Sequence, residues 1–137
     1  TERLIKELNI KDNIFFYRHL SKEEIRELYS TSSVALVTSL YEGFGYPVIE
    51  AMSCEVPLIA TNVSSIPELV GKYGILIDPK DENQLSNKIR IVLSNYEDYK
   101  KNAIQGRQHI INTFNWSKIT HEYEKAIFKT IESHKKC

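Results

Sequence analysis

The stretch YEGFGYPVIEAM, residues 41–52, places a glycine-rich turn between a strand and a helix. The run SVALVT at 33–38 comes just before it and is nearly all apolar, which is typical of a strand buried on both faces. Pro47 suits the first turn of a helix, because an N–H at that point would have no partner within the helix. We therefore predict a strand at 33–38, a turn, and a helix over 47–54.

Strands and helices alternate on both sides of this stretch. PLIAT at 57–61 and GILID at 74–78 have the same apolar character as SVALVT, and NIFFY at 13–17 is a short aromatic and β-branched run. A further helix is predicted at 65–71. Alternating strands and helices imply crossover connections and a parallel sheet, so the predicted fold class is α/β.

The remaining sequence is predicted to be helical. Apolar residues recur at helical spacing near the start of the chain, and Ser21 followed by Glu24 forms the pattern of a capping box. After Asp78 and Pro79 the chain becomes amphipathic. Helices are predicted at 2–10, from Ser21 onward, and at 81–94, 96–113 and 116–133.

Composition excludes several classes of protein. The 137 residues contain 18 Lys and Arg against 18 Asp and Glu, and this balance argues against a nucleic-acid-binding protein. No apolar run has the length of a membrane span. Cys54 and Cys137 have neither metal-binding nor redox spacing, so a reducing, cytoplasmic setting is expected. The chain begins with Thr1 inside a predicted helix, and we expect it to be a piece of a longer protein.

The turn is placed where an open α/β sheet binds ligands, outside the carboxyl ends of its strands. A helix beginning near Pro47 directs free N–H groups and a partial positive charge into that crevice, which suits a phosphate. Gly43 and Gly45 let the backbone approach a ligand closely. Glu50, one turn inside the helix, suits the two hydroxyls of a ribose, and Glu42 suits a second sugar in front of the phosphates.

A structural interpretation of the same residues stays open. Acids near a helix start stabilise the helix dipole by about 0.3–1 kcal/mol without any ligand. A non-catalytic nucleotide- or phosphate-binding module is also compatible with the pattern, and Glu42 would then be dispensable. The four histidines are scattered, and no Asp-x-Asp pair occurs, so neither a catalytic histidine nor a metal is expected.

A family likeness is carried by SLYEGFGYPVIEAMSCEVPLIATNVSSIPELV, residues 39–70. This stretch resembles the donor-binding half of the retaining glycosyltransferases of the GT-B fold, called group 1 or family 4. The pattern of an acid, seven residues and a second acid, with GFG and Pro between them, is that family's signature. Further similar segments are NIFFYRHLSKEEIRELYSTSSVALVTS, GILIDP and FNW, so the likeness spans nearly the whole chain.

The resemblance implies a retaining hexosyltransferase that uses a nucleotide-diphosphate sugar. Glu42 would be the catalytic acid that contacts the transferred sugar, and Glu50 would bind the ribose. The backbone of His19 and Leu20 would hold the base. The GFG turn and the helix start would bind the donor sugar and the distal phosphate, with amides of Tyr46 and Val48 on the phosphate: Gly43, Phe44, Gly45, Tyr46, Pro47 and Val48. No cofactor and no metal are implied. A sugar-nucleotide epimerase of the same architecture is an alternative that the turn disfavours.

The sequence departs from the family pattern in several places. Arg18 and Glu55 stand where the family has glycines, and Glu55 would have to adopt a left-handed conformation at the end of a helix. The first two strands of the domain, with their phosphate-binding Arg and Lys, and the N-terminal acceptor domain are not found in the sequence. The resemblance thus implies that 1–137 is part of a C-terminal nucleotide-sugar-binding domain. We expect it to be inactive alone and cytoplasmic, with peripheral membrane association of the full-length parent left open.

These absences lead to a prediction about the sheet. We expect a Rossmann-like, doubly wound parallel sheet with about four strands and C-terminal helices. The two absent strands would normally separate 13–17 from 33–38 in the order 3-2-1-4-5-6. Unpaired backbone groups need partners, so 13–17 should pair directly with 33–38. Alternatively, a second copy of the chain fills the gap as an exchanged homodimer.

Overall fold

A parallel sheet of three strands lies at the centre of the structure, a computed structural model that describes residues 2–134. The strands are β1 (Ala35–Val37), β2 (Leu58–Thr61) and β3 (Ile75–Ile77), in the order β1-β2-β3. Ala35 pairs with Leu58, and Ile59 pairs with Ile75. Because the strands are parallel, their carboxyl ends share one edge of the sheet.

Seven α-helices within residues 2–134 connect and flank these strands. The predicted α/β fold with C-terminal helices is confirmed, and the helix bounds agree with the prediction to within one or two residues from α3 onward. No helix in this range combines the length and apolarity needed to cross a bilayer. The helices are α1 (Glu2–Glu7), α2 (Lys22–Thr31), α3 (Tyr46–Ser53), α4 (Ile66–Val70), α5 (Glu82–Ser94), α6 (Tyr96–Thr113) and α7 (Trp116–His134).

The core lies on the two faces of β2, whose four residues are all buried. On one face, α3 and α4 pack against the sheet, and α6 covers α3. The close contact between α6 and its neighbours depends on Gly106, where a Cβ would lie 3.0 Å from Tyr73 Cβ and 3.2 Å from Met52 Cε. On the other face, Val92 of α5 packs against Ile59 and Ile77.

The start of α2 confirms the predicted capping box. Ser21 N–H donates to Glu24 Oε2 at 2.7 Å, and Glu24 N–H donates to Ser21 Oγ at 3.2 Å. The backbone N–H and hydroxyl of Ser21 hold the pKa of Glu24 below its ordinary value. The first helix ends sooner than the predicted 2–10, since Asn9 adopts a left-handed φ of 52°.

The predicted strand at 13–17 is wrong. Residues 14–18 have no regular secondary structure, and β1 pairs only with β2 within the described residues, so the sheet has three strands rather than about four. The expected direct pairing of 13–17 with 33–38 does not occur. A strand-like composition does not by itself form a strand, because the backbone of a strand needs a hydrogen-bonding partner. The helix that follows this segment, α2, packs on α3 rather than on the sheet. The side chains of Phe15, Phe16 and Tyr17 are more than half exposed.

Burial of β1 also differs from the prediction. Ala35 and Val37 are buried, but Leu36 between them is 45% exposed, so β1 is covered on one face only. β1 lies at the edge of the sheet. Helix α5, which covers the second face of the sheet, contacts β2 and β3 rather than β1. The exchanged homodimer stays a prediction, since the structure describes one chain. Cys54 is a free thiol at the end of α3, and Cys137 lies outside the described residues.

Glu55 adopts the predicted left-handed conformation, with φ of 58°. Val56 N–H donates to Ala51 O and Glu55 N–H donates to Met52 O, which is the bonding of a Schellman motif after α3. Side chains of α6 support this turn. Lys100 Nζ donates to Glu55 O at 2.7 Å, and Arg107 Nη1 lies 3.5 Å from Glu55 Oε1.

We predict that Glu55→Gly raises the free energy of unfolding by about 0.5–1 kcal/mol. Glycine removes a left-handed cost of about 1–2 kcal/mol, and its greater freedom in the unfolded chain offsets only part of this gain. The half-exposed ion pair with Arg107 contributes little. Urea unfolding measures the change. Glu55→Ala is the control, because it removes the ion pair but keeps the left-handed cost, and it should not stabilise. A less stable Glu55→Gly variant would contradict this account.

Candidate functional site

The turn at 43–45 lies at the carboxyl edge of the sheet, between the end of β1 and the start of α3. Pro47 occupies the first turn of α3, as predicted. Gly45 is the residue before the helix, and its φ of 102° and ψ of 49° are left-handed. A Cβ on Gly45 would lie 2.8 Å from Leu69 Cδ1 of α4. Gly45 therefore lets the turn, α3 and α4 meet closely.

Gly43 differs from Gly45. A Cβ placed on Gly43 would meet no atom within 4 Å, and its φ is not in the left-handed region. The fold thus does not require glycine at this position. The space beside Gly43, in front of the turn, is open.

The backbone N–H groups of the turn have no acceptors among the described residues. No hydrogen bond joins the N–H of any of residues 43–46 to another group there. Gly45 is buried, and a buried N–H without a partner normally has one in water or a ligand. Val48 N–H, by contrast, donates to Gly45 O at 3.0 Å. Of the two amides expected on a distal phosphate, Tyr46 is free and Val48 is engaged.

Glu42 is half-buried and held by a chain of hydroxyl groups. Ser39 Oγ donates to Glu42 Oε1 at 2.7 Å. Buried Thr61, at the end of β2, donates its hydroxyl to the carbonyl of Ser39. The carboxylate is thereby fixed to the carboxyl ends of two neighbouring strands, and its second oxygen has no partner among the described residues.

Two serines lie before α4 beside the turn, and Ser65 is the one that holds its backbone. Ser65 Oγ lies 2.7 Å from Phe44 O and 3.2 Å from Glu42 O, so its one hydroxyl proton is shared between these carbonyls, with the shorter bond to Phe44 O. Ser64 Oγ is 3.5 Å from Glu42 N, which makes a long, weak bond. The turn therefore has a defined shape that depends on contacts from the loop after β2.

Aromatic packing fixes the side chain of Phe44. Its ring meets Tyr46 edge-on at 5.2 Å between centroids and Phe114, at the end of α6, at 5.8 Å. The ring thus lies against α6 and the start of α3.

Glu50 faces a different space from Glu42. It lines a cleft of about 730 Å³ between α2 and α3, and Arg107 of α6 also lines this cleft. Burial raises the pKa of Tyr29 in this cleft, and the nearby Glu50 and Cys54 add to the shift. Glu42 does not line this cleft. The two acids therefore flank the turn and α3 from separate sides. The cleft also exposes two cationic side chains of α2, Lys22 and Arg26.

His19 and Leu20 lie directly before the capping box of α2 and do not line this cleft themselves. His19 has a left-handed φ of 56°. The left-handed residue in this segment is therefore His19 and not Arg18, which stands where the family pattern has a glycine. His19 is exposed and Leu20 is half-buried. Their backbone leads into Lys22, which lines the cleft. Within residues 2–134, no group of three His, Cys, Asp or Glu side chains is placed to share a metal ion.

Sequence reasoning missed the hydroxyl side chains around Glu42. Each follows a strand at its carboxyl end, in the segments TS at 38–39 and TNVSS at 61–65. Because the carboxyl ends of adjacent parallel strands meet at one edge, the two segments could have been expected to lie together. The residues are Ser39, Thr61 and Ser65.

Comparison with known proteins gives consistent results. Residues 1–109 match the family described as glycosyl transferases group 1. The chain is 34% identical to MMP alpha-(1->4)-mannosyltransferase of Mycolicibacterium hassiacum over 93% of its length, and 30% identical to N-acetyl-alpha-D-glucosaminyl L-malate synthase of Bacillus anthracis over 97%. These matches cover 33% and 35% of the two relatives, so the chain spans about a third of their length.

Solved structures agree. Sucrose-phosphate synthase from Thermosynechococcus elongatus superposes with a TM-score of 0.85 at 30% identity, over 96% of this chain and 34% of that one. HepE of Anabaena in complex with UDP-glucose superposes with a TM-score of 0.83 at 21% identity, over 93% of this chain and 35% of that one, and shows the fold alone. The chain is similar to the Rossmann-like domains of GT-B proteins and belongs to the group 1 glycosyltransferases.

Proposed function

We propose that the chain is the donor-binding part of a retaining hexosyltransferase and binds a nucleotide-diphosphate sugar. The observation that carries this proposal is the run of unpaired N–H groups at 43–46, at the carboxyl edge of the sheet and beside Glu42. Donors fixed in this way suit the oxygens of a sugar and its diphosphate. Membership of the family and UDP-glucose in the HepE structure support this class of ligand.

The donor is proposed to lie along the turn and α3. The distal phosphate lies over the start of α3, where the free amide of Tyr46 and the helix dipole favour negative charge. The transferred sugar occupies the space in front of Gly43, within reach of the free oxygen of Glu42. The nucleoside extends into the cleft beside α2. Glu50 accepts hydrogen bonds from its ribose there, and the base meets the backbone at His19 and Leu20.

The proposed reaction breaks the bond between the anomeric carbon and the distal phosphate oxygen. A bond forms from that carbon to an acceptor hydroxyl, whose proton passes to the departing diphosphate oxygen, and the nucleoside diphosphate leaves. Unpaired N–H groups and the positive end of α3 stabilise the negative charge that develops on the leaving group. The acceptor is bound by parts of the full-length parent, which is proposed to be cytoplasmic. No cofactor or metal is proposed.

We predict that the 137-residue chain alone transfers no sugar, because it spans about a third of its relatives' length. The measurement is release of nucleoside diphosphate and formation of glycoside from a panel of UDP- and GDP-sugars. The full-length parent, assayed in parallel with the same panel, should transfer at least one of these sugars. Transfer by the isolated chain would contradict the prediction, and epimerised nucleotide sugar as the parent's product would favour the epimerase alternative.

The two acids should have separable effects in the full-length parent. Glu50→Ala should weaken the affinity for nucleoside diphosphate about 10- to 100-fold, because the ribose loses a charged acceptor worth about 1.5–3 kcal/mol. Glu42→Ala should lower kcat and leave that affinity nearly unchanged, since Glu42 lies outside the cleft. Calorimetry and steady-state kinetics measure the two quantities. Glu97→Ala, at an exposed acid in the first turn of α6, is the control. Equal losses of diphosphate affinity for both acids would refute the division of roles.

The two glycines of the turn should also differ. Gly43→Ala should leave the free energy of unfolding within about 0.5 kcal/mol, because its Cβ meets open space. It should nevertheless weaken binding of the nucleotide sugar, since the methyl group enters the proposed sugar site. Gly45→Ala should lower the free energy of unfolding by about 2–4 kcal/mol, through left-handed strain and the clash with Leu69. Urea unfolding and donor titration separate the two effects, and unchanged donor binding by Gly43→Ala would place the sugar elsewhere.

A further inference from the structure

We propose that Ser65 is a positioning residue that aims the donor-binding N–H groups of the turn. Its hydroxyl lies 2.7 Å from Phe44 O and 3.2 Å from Glu42 O, and it is held at the start of α4. This inference rests on the proposed function, because it concerns the N–H groups assigned there to the donor.

The planar trans peptide links these carbonyls to the donors. In each peptide unit, the C=O of one residue and the N–H of the next point in opposite directions. The carbonyl of Glu42 shares its plane with Gly43 N–H, and the carbonyl of Phe44 shares its plane with Gly45 N–H. Both carbonyls point toward Ser65, so both N–H groups point away from it.

Ser65 thus orients two N–H groups, those of Gly43 and Gly45, through the two peptide planes that contain them. The bond to Phe44 O is the shorter, and it fixes the peptide plane that carries the N–H of Gly45, a buried residue whose N–H has no acceptor among the described residues. Gly43 and Gly45 lack side chains that would hinder rotation of these peptide groups, so without an anchor the planes can turn. A rotated plane would present a carbonyl to the donor, and a carbonyl repels developing negative charge.

Packing alone does not explain these contacts. Ser65 caps no N–H of α4 with its side chain, although a serine at this position commonly does so. Its hydroxyl is directed instead to the turn, 21 residues earlier in the chain. The neighbouring Ser64 is exposed and makes only the long contact with Glu42 N. The two serines therefore form a matched pair, with one anchoring hydroxyl and one nearly free hydroxyl.

The test compares serine variants in the full-length parent. Ser65→Ala should lower kcat about 10- to 100-fold, by analogy with the loss of one oxyanion-stabilising donor, while the KM for the acceptor stays unchanged. Ser64→Ala should retain kcat within about twofold, since it removes only a long, weak contact. Ser65→Thr, which keeps the hydroxyl, should restore most of the activity. Ser65→Cys keeps the shape with a weaker donor and should give an intermediate kcat, which tests the role even if Ser65→Ala folds poorly.

The outcomes separate this inference from the proposed function. If the parent transfers sugar but Ser65→Ala and Ser65→Cys keep the wild-type kcat, Ser65 does not position the donors. A loss of kcat equal in Ser64→Ala and Ser65→Ala would also overturn the proposal, because the anchoring bond would then be irrelevant. If the parent transfers no sugar from any nucleotide sugar, the proposed function fails, and the assignment to Ser65 fails with it.

Discussion

The left-handed conformation of Gly45 is the constraint on which the candidate site depends. With φ of 102°, Gly45 ends the segment after β1 and leads the chain directly into α3. The absence of a side chain lets Leu69 of α4 approach to a distance that any Cβ would forbid. This contact brings the loop after β2 against the turn, and Ser65 reaches the carbonyls of Glu42 and Phe44 as a result. Backbone conformation, core packing and the orientation of the donors are thus coupled at one residue.

The two acids on either side of this turn have different surroundings. Glu42 belongs to the network of hydroxyls between β1 and β2 and has one oxygen held by Ser39. Glu50 lies on the exposed side of α3, in the cleft that α2 borders. A ligand in contact with both acids would have to extend from the turn, along the start of α3, into this cleft. The proposed nucleotide-diphosphate sugar carries its sugar, phosphates and ribose in the order in which this path meets Glu42, the start of α3 and Glu50.

Features set by short-range sequence were predictable. The capping box of Ser21 and Glu24 joins residues three apart, and α5, α6 and α7 have long amphipathic patterns that define their bounds closely. Features that need distant partners were not. NIFFY at 13–17 has the composition of a strand but no neighbour to pair with, and the edge position of β1 exposes Leu36. The contacts of Ser39 and Ser65 depend on strand order, with Thr61 22 residues after Ser39, and no local pattern reveals them. The acids and glycines of the turn could be identified because the family signature is contiguous in sequence.

A crystal structure of the full-length parent, soaked with the nucleoside diphosphate that a binding screen selects, tests the central claim most directly. The account predicts that an oxygen of the distal phosphate lies within about 2.7–3.2 Å of Tyr46 N, with the ribose hydroxyls at similar distances from Glu50. Residues 43–45 should keep the conformation seen here, with Phe44 O still bonded to Ser65. A diphosphate bound away from the start of α3, or a turn whose peptide planes reverse to admit it, would contradict the account.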